Sequence, residues 1–192
     1  VSLALAAALG PWVLLATCVA LFCGWAYSSA PFRFKRSGWF GPLVCALSYE
    51  GLSWFTGASV MLGGLPGGPT LVVLLLYSIG AHGIMILNDF KAIEGDRATG
   101  LRSLPVTMGV RGAAIFACAV MALAQLFVVA LLIWQDLLLS AAIVGLLVAI
   151  QIALMVRLVG NPAKLAPWYN ATGVSLYVLG MLAAALGLGD YI

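Results

Sequence analysis

The sequence predicts an all-α fold, a polytopic bundle of six transmembrane helices in one membrane-embedded domain that spans residues 1–192. Hydrophobic residues make up 64% of the chain and charged residues only 8%. Soluble domains are, on average, about half apolar and about a quarter charged. So few charges cannot cover a surface that faces water, and we therefore expect most of the chain to be surrounded by lipid.

Six segments are apolar enough to cross a bilayer core, which takes about 20 residues per helix. They run Leu3–Tyr27, Gly41–Gly63, Thr70–Leu87, Gly112–Trp134, Leu137–Val156 and Trp168–Leu188. The run of Gly and Pro at 64–69 can only be a break between the second and third segments. Because the chain begins at Val1 inside an apolar run, with no basic region or cleavage site, we predict no signal peptide and expect the natural N-terminus to lie upstream.

All nine Lys and Arg residues fall on one side of the membrane if the six crossings alternate in direction. They follow the first, third and fifth crossings: Arg33, Lys35, Arg36, Lys91, Arg97, Arg102, Arg111, Arg157 and Lys164. The opposite side receives Asp136 and Asp190 and no cation. Since short loops rich in Lys and Arg stay in the cytoplasm, the basic side is predicted to be cytoplasmic. The net charge of +3 follows from this bias and requires no nucleic-acid partner.

The connection after the third crossing carries a cluster of acids. Asp89, Glu94 and Asp96 lie within eight residues, directly after Asn88. If this segment is helical, Asp89 and Asp96 are two turns apart and share one face. The carboxylates and the Asn88 amide oxygen form a hard-oxygen site suited to Mg²⁺, which binds through one or two carboxylates and substrate phosphates. The alternative is a solvated loop whose charges only follow the membrane topology.

A basic loop follows the first crossing on the same side. Its cations can neutralise a diphosphate and its tyrosine can donate a hydrogen bond to one, while two more cations lie among the acids of the other loop. Taken alone, the basic loop is explained by cytoplasmic anchoring. Taken together, the two loops are predicted to form opposite walls of one diphosphate site. The predicted diphosphate contacts are Tyr27, Arg33, Lys35, Arg36, Lys91 and Arg97.

Three stretches resemble the intramembrane prenyltransferases of the UbiA superfamily, and within it the chlorophyll and bacteriochlorophyll synthase branch. The most specific stretch is similar to that branch's second Asp-rich motif. It reads Asn88-Asp89-Phe90-Lys91, then Glu94-Gly95-Asp96-Arg97, then Ser103-Leu104-Pro105-Val106. The other two stretches are Tyr27–Trp39 and Ser48–Gly57. Ala92 stands where other members of the superfamily often carry an Asp.

The resemblance implies a fold of nine helices with two Asp-rich loops, of which this chain matches the last six helices and the second loop. Residues 1–192 are then the C-terminal two-thirds of such an enzyme. No acid precedes Arg33, so the first Asp-rich motif is absent, and the 192 residues alone are expected to be incomplete for catalysis. In the superfamily both loops bind Mg²⁺ ions that hold the prenyl diphosphate. Catalytic roles are thereby implied for Asp89, Glu94 and Asp96.

The implied reaction is transfer of a geranylgeranyl or phytyl group to the propionate of chlorophyllide or bacteriochlorophyllide. The implied location is the inner or photosynthetic membrane of a phototroph, where membrane lipids and photosynthetic complex proteins are neighbours. Two ionisable residues inside predicted crossings, Glu50 and His82, are then candidate pigment contacts. An intramembrane acid costs a few kcal/mol unless it is protonated, paired or faces a polar cavity. The alternatives are a structural pair for Glu50 and helix packing for His82.

Two other functions remain open at this point. One is a non-catalytic, truncated pigment-binding or scaffold subunit of a photosynthetic membrane complex. The other is a quinone-pathway or haem-pathway prenyltransferase, which would be expected to carry an Asp at position 92 and to lack the Glu-Gly-Asp sequence found at 94–96.

Overall fold

The computed structural model describes residues 1–191, with side chains described as far as Gly189, and this part of the chain is helical with no β-strand. The α-helices are α1 (Ser2–Leu9), α2 (Pro11–Ser28), α3 (Phe40–Ala46), α4 (Leu52–Leu62), α5 (Gly68–Asn88), α6 (Ile93–Thr99), α7 (Leu104–Thr107), α8 (Val110–Trp134), α9 (Leu138–Gly160) and α10 (Pro162–Gly187). Short 3₁₀ turns occupy Phe34–Arg36, Asp89–Lys91 and Leu188–Tyr191, and a π-helical turn occupies Leu47–Gly51. The side chain of Asp190, which the sequence assigns to the side opposite the cations, lies outside the described side chains.

The predicted crossings correspond to helices or to continuous helical runs. Five helices, α2, α5, α8, α9 and α10, are long and apolar enough to cross a membrane. The second crossing is the run from Phe40 to Leu62, in which the π turn joins α3 to α4. The first crossing is divided at Gly10, which has a φ of 124° and precedes Pro11. Proline cannot continue a helix from the preceding turn but favours the first position of a new one, so α2 begins there.

Helix α5 lies at the centre of the bundle and packs against α8, α10 and the run of α3, the π turn and α4. Helix α5 contacts α8 closely at Gly83. A Cβ added to this glycine would lie only 2.4 Å from the Ala117 carbonyl oxygen. Small residues allow such backbone approaches where lipid provides no hydrophobic drive for helix association. This packing fixes the C-terminal end of α5, where the acidic loop begins.

The π turn in the second crossing packs against the same central helix. A Cβ at Gly51 would lie 2.6 Å from the Ser78 hydroxyl oxygen of α5, so the turn approaches α5 through a glycine. Single π turns inside α-helices are frequent at functional sites. Here the turn contains Glu50, the one acid of the second crossing.

Two glutamines join α8 to α9 inside the bundle. The Gln125 amide nitrogen donates to the Gln151 side-chain oxygen at 3.2 Å, and the Gln151 amide nitrogen donates back at 2.9 Å. Both side chains are fully buried. Because no water satisfies polar groups in the hydrocarbon region, this reciprocal pair favours one register of the two helices.

We expect each single substitution, Gln125→Met or Gln151→Met, to lower the free energy of unfolding by about 1–2 kcal/mol, because the remaining amide loses its partner in an apolar environment. The double substitution should cost less than the sum of the two, since it leaves no unpaired amide at this contact. Denaturant unfolding in detergent micelles, arranged as a double-mutant cycle, measures this coupling. Strictly additive effects would show that the pair does not couple α8 to α9.

Candidate active site

A cavity of about 310 Å³ opens beside the C-terminal end of α5. Five of the residues predicted from the sequence line it: Tyr27, Lys35, Asn88, Asp89 and Asp96. Two of these come from the first crossing and the basic loop, and three from the end of α5 and the acidic loop. The structure therefore brings part of each loop to the lining of one cavity.

The acidic loop reaches the cavity through a change of chain direction after α5. Helix α5 ends at Asn88, a 3₁₀ turn follows, and α6 begins at Ile93. Asp89 and Asp96 thus lie on different elements instead of on one continuous helical face, and the turn between them aims both carboxylates at the same cavity. Asp96 is only 9% exposed, which shields its carboxylate from most of the solvent.

The end of α6 holds Asp96 in position. Gly100 adopts a left-handed conformation with a φ of 70°, and the Leu101 amide donates to the Asp96 carbonyl oxygen at 2.8 Å. This six-to-one bond with a left-handed glycine is a Schellman ending, in which glycine avoids the steric cost that a Cβ brings. The Gly100 that follows the predicted acid cluster is therefore explained by the local backbone.

The basic loop is attached to the acidic loop through backbone contacts. The Gly38 amide donates to the Arg102 carbonyl oxygen at 3.0 Å, and Ser37 forms an isolated β-bridge with Arg102. A Cβ at Gly38 would lie 2.4 Å from that carbonyl oxygen, so this approach requires glycine. This attachment brings the basic loop to the acidic loop, and Lys35 lines the same cavity as Asp89 and Asp96.

The basic loop divides its cations between two spaces. Lys35 lines the cavity of the two carboxylates, whereas Arg33 and Arg36 line a neighbouring cleft. Arg33 precedes the 3₁₀ turn at Phe34–Arg36 in a left-handed backbone conformation, and the Arg36 amide donates to the Arg33 carbonyl oxygen at 2.9 Å. This tight turn brings both arginines to one cleft, while Lys35, which lies between them in the sequence, lines the other space.

An asparagine that the sequence gave no reason to select joins this site. The Asn170 side-chain nitrogen, from α10, donates to the Asn88 side-chain oxygen at 3.0 Å. The Asn170 side-chain oxygen is buried and has no hydrogen-bond partner among the described residues. Asn170 lies in an apolar segment without a motif or a charge, so only the packing of α10 against the end of α5 reveals it.

Several predicted site residues lie elsewhere. Glu94, Lys91 and Arg97 are exposed and do not line the cavity, although Lys91 interacts electrostatically with Asp89. Glu50 is half-buried in a separate groove between the π turn and α10. His82 is buried with its ring 6.4 Å from the ring of Trp39 and 6.3 Å from that of Phe116, and its Nε2 atom has no hydrogen-bond partner within the described part of the chain.

The donor set of the cavity suits a hard divalent cation that also binds a substrate. Asp89 and Asp96 provide two carboxylates, and Mg²⁺ sites commonly combine one or two carboxylates with substrate phosphates. In the described part of the chain, no group of three or more His, Cys, Asp and Glu side chains is arranged to hold a metal. The Asn88 oxygen already accepts a bond from Asn170. The residues present therefore fit Mg²⁺ together with a diphosphate better than they fit a site built from protein alone.

Comparisons with known proteins agree over most of the chain. The model of the UbiA prenyltransferase family matches residues 1–179. The bacteriochlorophyll synthase 33 kDa chain of Cereibacter sphaeroides is 54% identical over 188 residues, which cover 97% of this chain and 62% of that protein. The bacteriochlorophyll synthase 34 kDa chain of Chloroflexus aurantiacus is 42% identical, over 94% of this chain and 57% of that protein. The chloroplastic chlorophyll synthase of Avena sativa is 39% identical, over 83% of this chain and 42% of that protein.

The chain spans about three-fifths of the length of the bacterial relatives that it matches. No solved structure matches it significantly. The family match includes both loops and every helix from α1 to α9, as well as most of α10. With its long apolar helices, this is an integral membrane protein. The chain belongs to the UbiA prenyltransferase family.

Proposed function

We propose that the chain is the larger part of a chlorophyll or bacteriochlorophyll synthase. Such an enzyme transfers a geranylgeranyl or phytyl group from its diphosphate to the propionate of chlorophyllide or bacteriochlorophyllide. The observation that carries this proposal is the single cavity lined by Asp89, Asp96 and Lys35. The names of relatives that align with nearly the whole chain support it. On this proposal, residues 1–192 form one membrane-embedded domain, the C-terminal two-thirds of such an enzyme.

The reaction needs charge stabilisation and no proton transfer. The bond between the allylic carbon and the diphosphate oxygen breaks, and its electron pair leaves with the diphosphate. An oxygen of the propionate carboxylate forms the new bond to that carbon, which gives an ester. Carboxylic acids of this kind have a pKa near 4–5, so the acceptor is already ionised at neutral pH. A general base is therefore unnecessary.

We assign the roles in the cavity by charge. Asp89 and Asp96 would hold Mg²⁺, which when bound neutralises the charge that develops on the departing diphosphate. Lys35 and Tyr27 would donate to the diphosphate oxygens from the opposite wall. Asn170 fixes the orientation of the Asn88 side chain through their hydrogen bond. Glu94, Lys91 and Arg97 remain predictions of the sequence, placed outside the cavity.

The proposed orientation places both loops at the cytoplasmic face of the inner or photosynthetic membrane. All nine cations follow the crossings that end on that side, and short basic loops stay in the cytoplasm. A prenyl diphosphate fits this boundary, because its charged end requires water and cations while its chain belongs in lipid. Pigment contact by Glu50 or His82 remains a prediction, since neither lines the cavity.

Substitution of Asp89 or Asp96 by Asn should lower kcat by about 100-fold or more, because each removes a charge that holds the metal near the leaving group. The measurement is ester formation by the full-length protein in detergent, with Mg²⁺, geranylgeranyl diphosphate and chlorophyllide or bacteriochlorophyllide. The exposed Asp136, in the turn between α8 and α9, provides the matched control: Asp136→Asn should change kcat by no more than about threefold. Full activity in both the Asp89 and the Asp96 variant would exclude this site, and with it the proposed function.

Removal of divalent metal with a chelator should abolish ester formation, and added Mg²⁺ should restore it, because the charge on the leaving diphosphate is otherwise uncompensated. In the Asp96→Asn variant the Mg²⁺ concentration for half-maximal activity should rise by about tenfold, since one ligand is lost. Activity that persists without any divalent metal would contradict the proposed role of the two carboxylates.

Lys35→Gln should raise the KM for the prenyl diphosphate by about tenfold while the KM for the pigment acceptor changes little. The reason is that Lys35 lines the cavity of the two carboxylates, where we place the diphosphate. Steady-state kinetics with each substrate varied in turn separates the two constants. An increase confined to the acceptor KM would move Lys35 to the other substrate.

A further inference from the structure

A second cleft, of about 680 Å³, lies beside the cavity of Asp89 and is the larger of the two. Three arginines line it, Arg33, Arg36 and Arg102. Within the described part of the chain, the residues lining this cleft include no Asp or Glu. The cleft therefore presents a concentration of positive charge without internal neutralisation, at the membrane face where the predicted reaction takes place.

Local backbone geometry brings the three arginines together. Arg33, in a left-handed conformation, leads into the 3₁₀ turn that ends at Arg36, and the Arg36 amide donates to the Arg33 carbonyl oxygen at 2.9 Å. Arg102 is brought in from the acidic loop by its β-bridge to Ser37 and by the bond from the Gly38 amide. Cytoplasmic anchoring of a loop requires no such arrangement, because cations spread along a loop satisfy it equally well.

Four aromatic residues also line the cleft. Phe32, Phe34, Trp39 and Phe40 line it, with the ring centroids of Phe32 and Phe34 5.4 Å apart and those of Phe34 and Phe40 6.0 Å apart. Ligand sites commonly combine apolar and aromatic walls with a few polar groups, in volumes of roughly 300–1,000 Å³. Guanidinium groups bind carboxylates in a planar, two-pronged geometry and also stack on flat rings. The lining thus suits a flat, apolar molecule with a carboxylate.

The cleft and the cavity share a wall. Ser37 and Gly38 line both. The proposed reaction requires the acceptor carboxylate to meet the allylic carbon of the donor, so the two substrates must occupy adjoining spaces. A wall made of serine and glycine leaves the least side-chain bulk between them.

We propose that this cleft binds the acceptor, a planar tetrapyrrole carboxylate, through Arg33, Arg36 and Arg102, while the cavity of Asp89 binds the diphosphate. The inference rests on the proposed function and assigns its two substrates to separate spaces. It replaces diphosphate binding, which the sequence suggested for Arg33 and Arg36, with binding of the acceptor. The position of Lys35 in the other space agrees with this division.

Acceptor binding can be measured without turnover, by titrating the full-length protein in detergent with chlorophyllide or bacteriochlorophyllide and following the absorbance change. Without Mg²⁺ and prenyl diphosphate, Arg36→Gln and Arg102→Gln should each weaken binding about tenfold, through loss of a charge-assisted contact. Arg33 has a φ of 47°, so Arg33→Asn removes its charge with a residue that tolerates this conformation. Arg111→Gln, exposed at the start of α8 and outside the cleft, should bind as the unsubstituted protein does.

A second titration separates carboxylate recognition from a general loss of structure. The unsubstituted protein should bind the methyl ester of the same pigment about tenfold more weakly than the free acid, because the ester carries no charge for the arginines. The Arg36→Gln and Arg102→Gln variants should lose most of this preference. A variant that is merely unstable would bind both pigments less and keep their ratio.

Three results would overturn the inference. One is unchanged pigment affinity in the arginine variants. Another is a selective loss of affinity for the prenyl diphosphate, which would return Arg33 and Arg36 to the donor. The third concerns lipid, measured with the arginine variants in nanodiscs. If these variants keep their pigment affinity but lose the preference of the unsubstituted protein for phosphatidylglycerol over phosphatidylcholine, the cleft is a lipid headgroup site. If the unsubstituted protein binds no pigment at all, the proposed function itself fails.

Discussion

The candidate site depends on where the central helix α5 ends. In lipid a backbone must satisfy its own hydrogen bonds, so the chain remains helical through the bilayer and ionisable groups gather at helix ends. Gly83 lets α5 approach α8 closely, and Gly51 lets the π turn approach α5 from the second crossing. These contacts hold the end of α5 at one place, and Asn88, Asp89 and the turn into α6 follow from it. A small shift of α5 would separate Asp89 from Lys35, which reaches the cavity from another loop.

Much of this arrangement could be predicted from the sequence. The apolar segments predict the crossings, and the distribution of Lys and Arg predicts that the two charged loops share one side. The break at Gly10 could have been expected from Gly-Pro, but the π turn could not, because its close approach to Ser78 through Gly51 is a contact between two separate helices. The sequence also predicted that Asp89 and Asp96 share one helical face. In the structure they lie on different elements, and the turn between α5 and α6 brings both to the same cavity.

The assignment of individual side chains was less predictable, because it depends on geometry that charge counting ignores. Lys35 and Arg36 are adjacent in the sequence and alike in charge, yet a 3₁₀ turn sends them to different spaces. Glu94 is closer to Asp96 in the sequence than any other acid is, yet its side chain on α6 is exposed and does not line the cavity. Neither charge nor a motif in the sequence points to Asn170 as a site residue, because its partner Asn88 is 82 residues away. In this chain, composition predicts which loops meet, and short-range backbone conformation selects which side chains face each other.

Separate spaces offer an electrostatic solution to the problem of two anionic substrates. A single basic pocket would bind a diphosphate and a carboxylate without distinguishing them. A cavity with two carboxylates repels an acidic ligand unless a cation is present, and a diphosphate binds such a cation more strongly than a single carboxylate does. Asp89 and Asp96 supply too few oxygens to complete the octahedral shell of Mg²⁺, and the Asn88 oxygen is engaged by Asn170. In the arrangement that we propose, the remaining positions suit water and diphosphate oxygens, so donor and metal should each strengthen the binding of the other. The acceptor carboxylate would be attracted to the arginines across the Ser37–Gly38 wall.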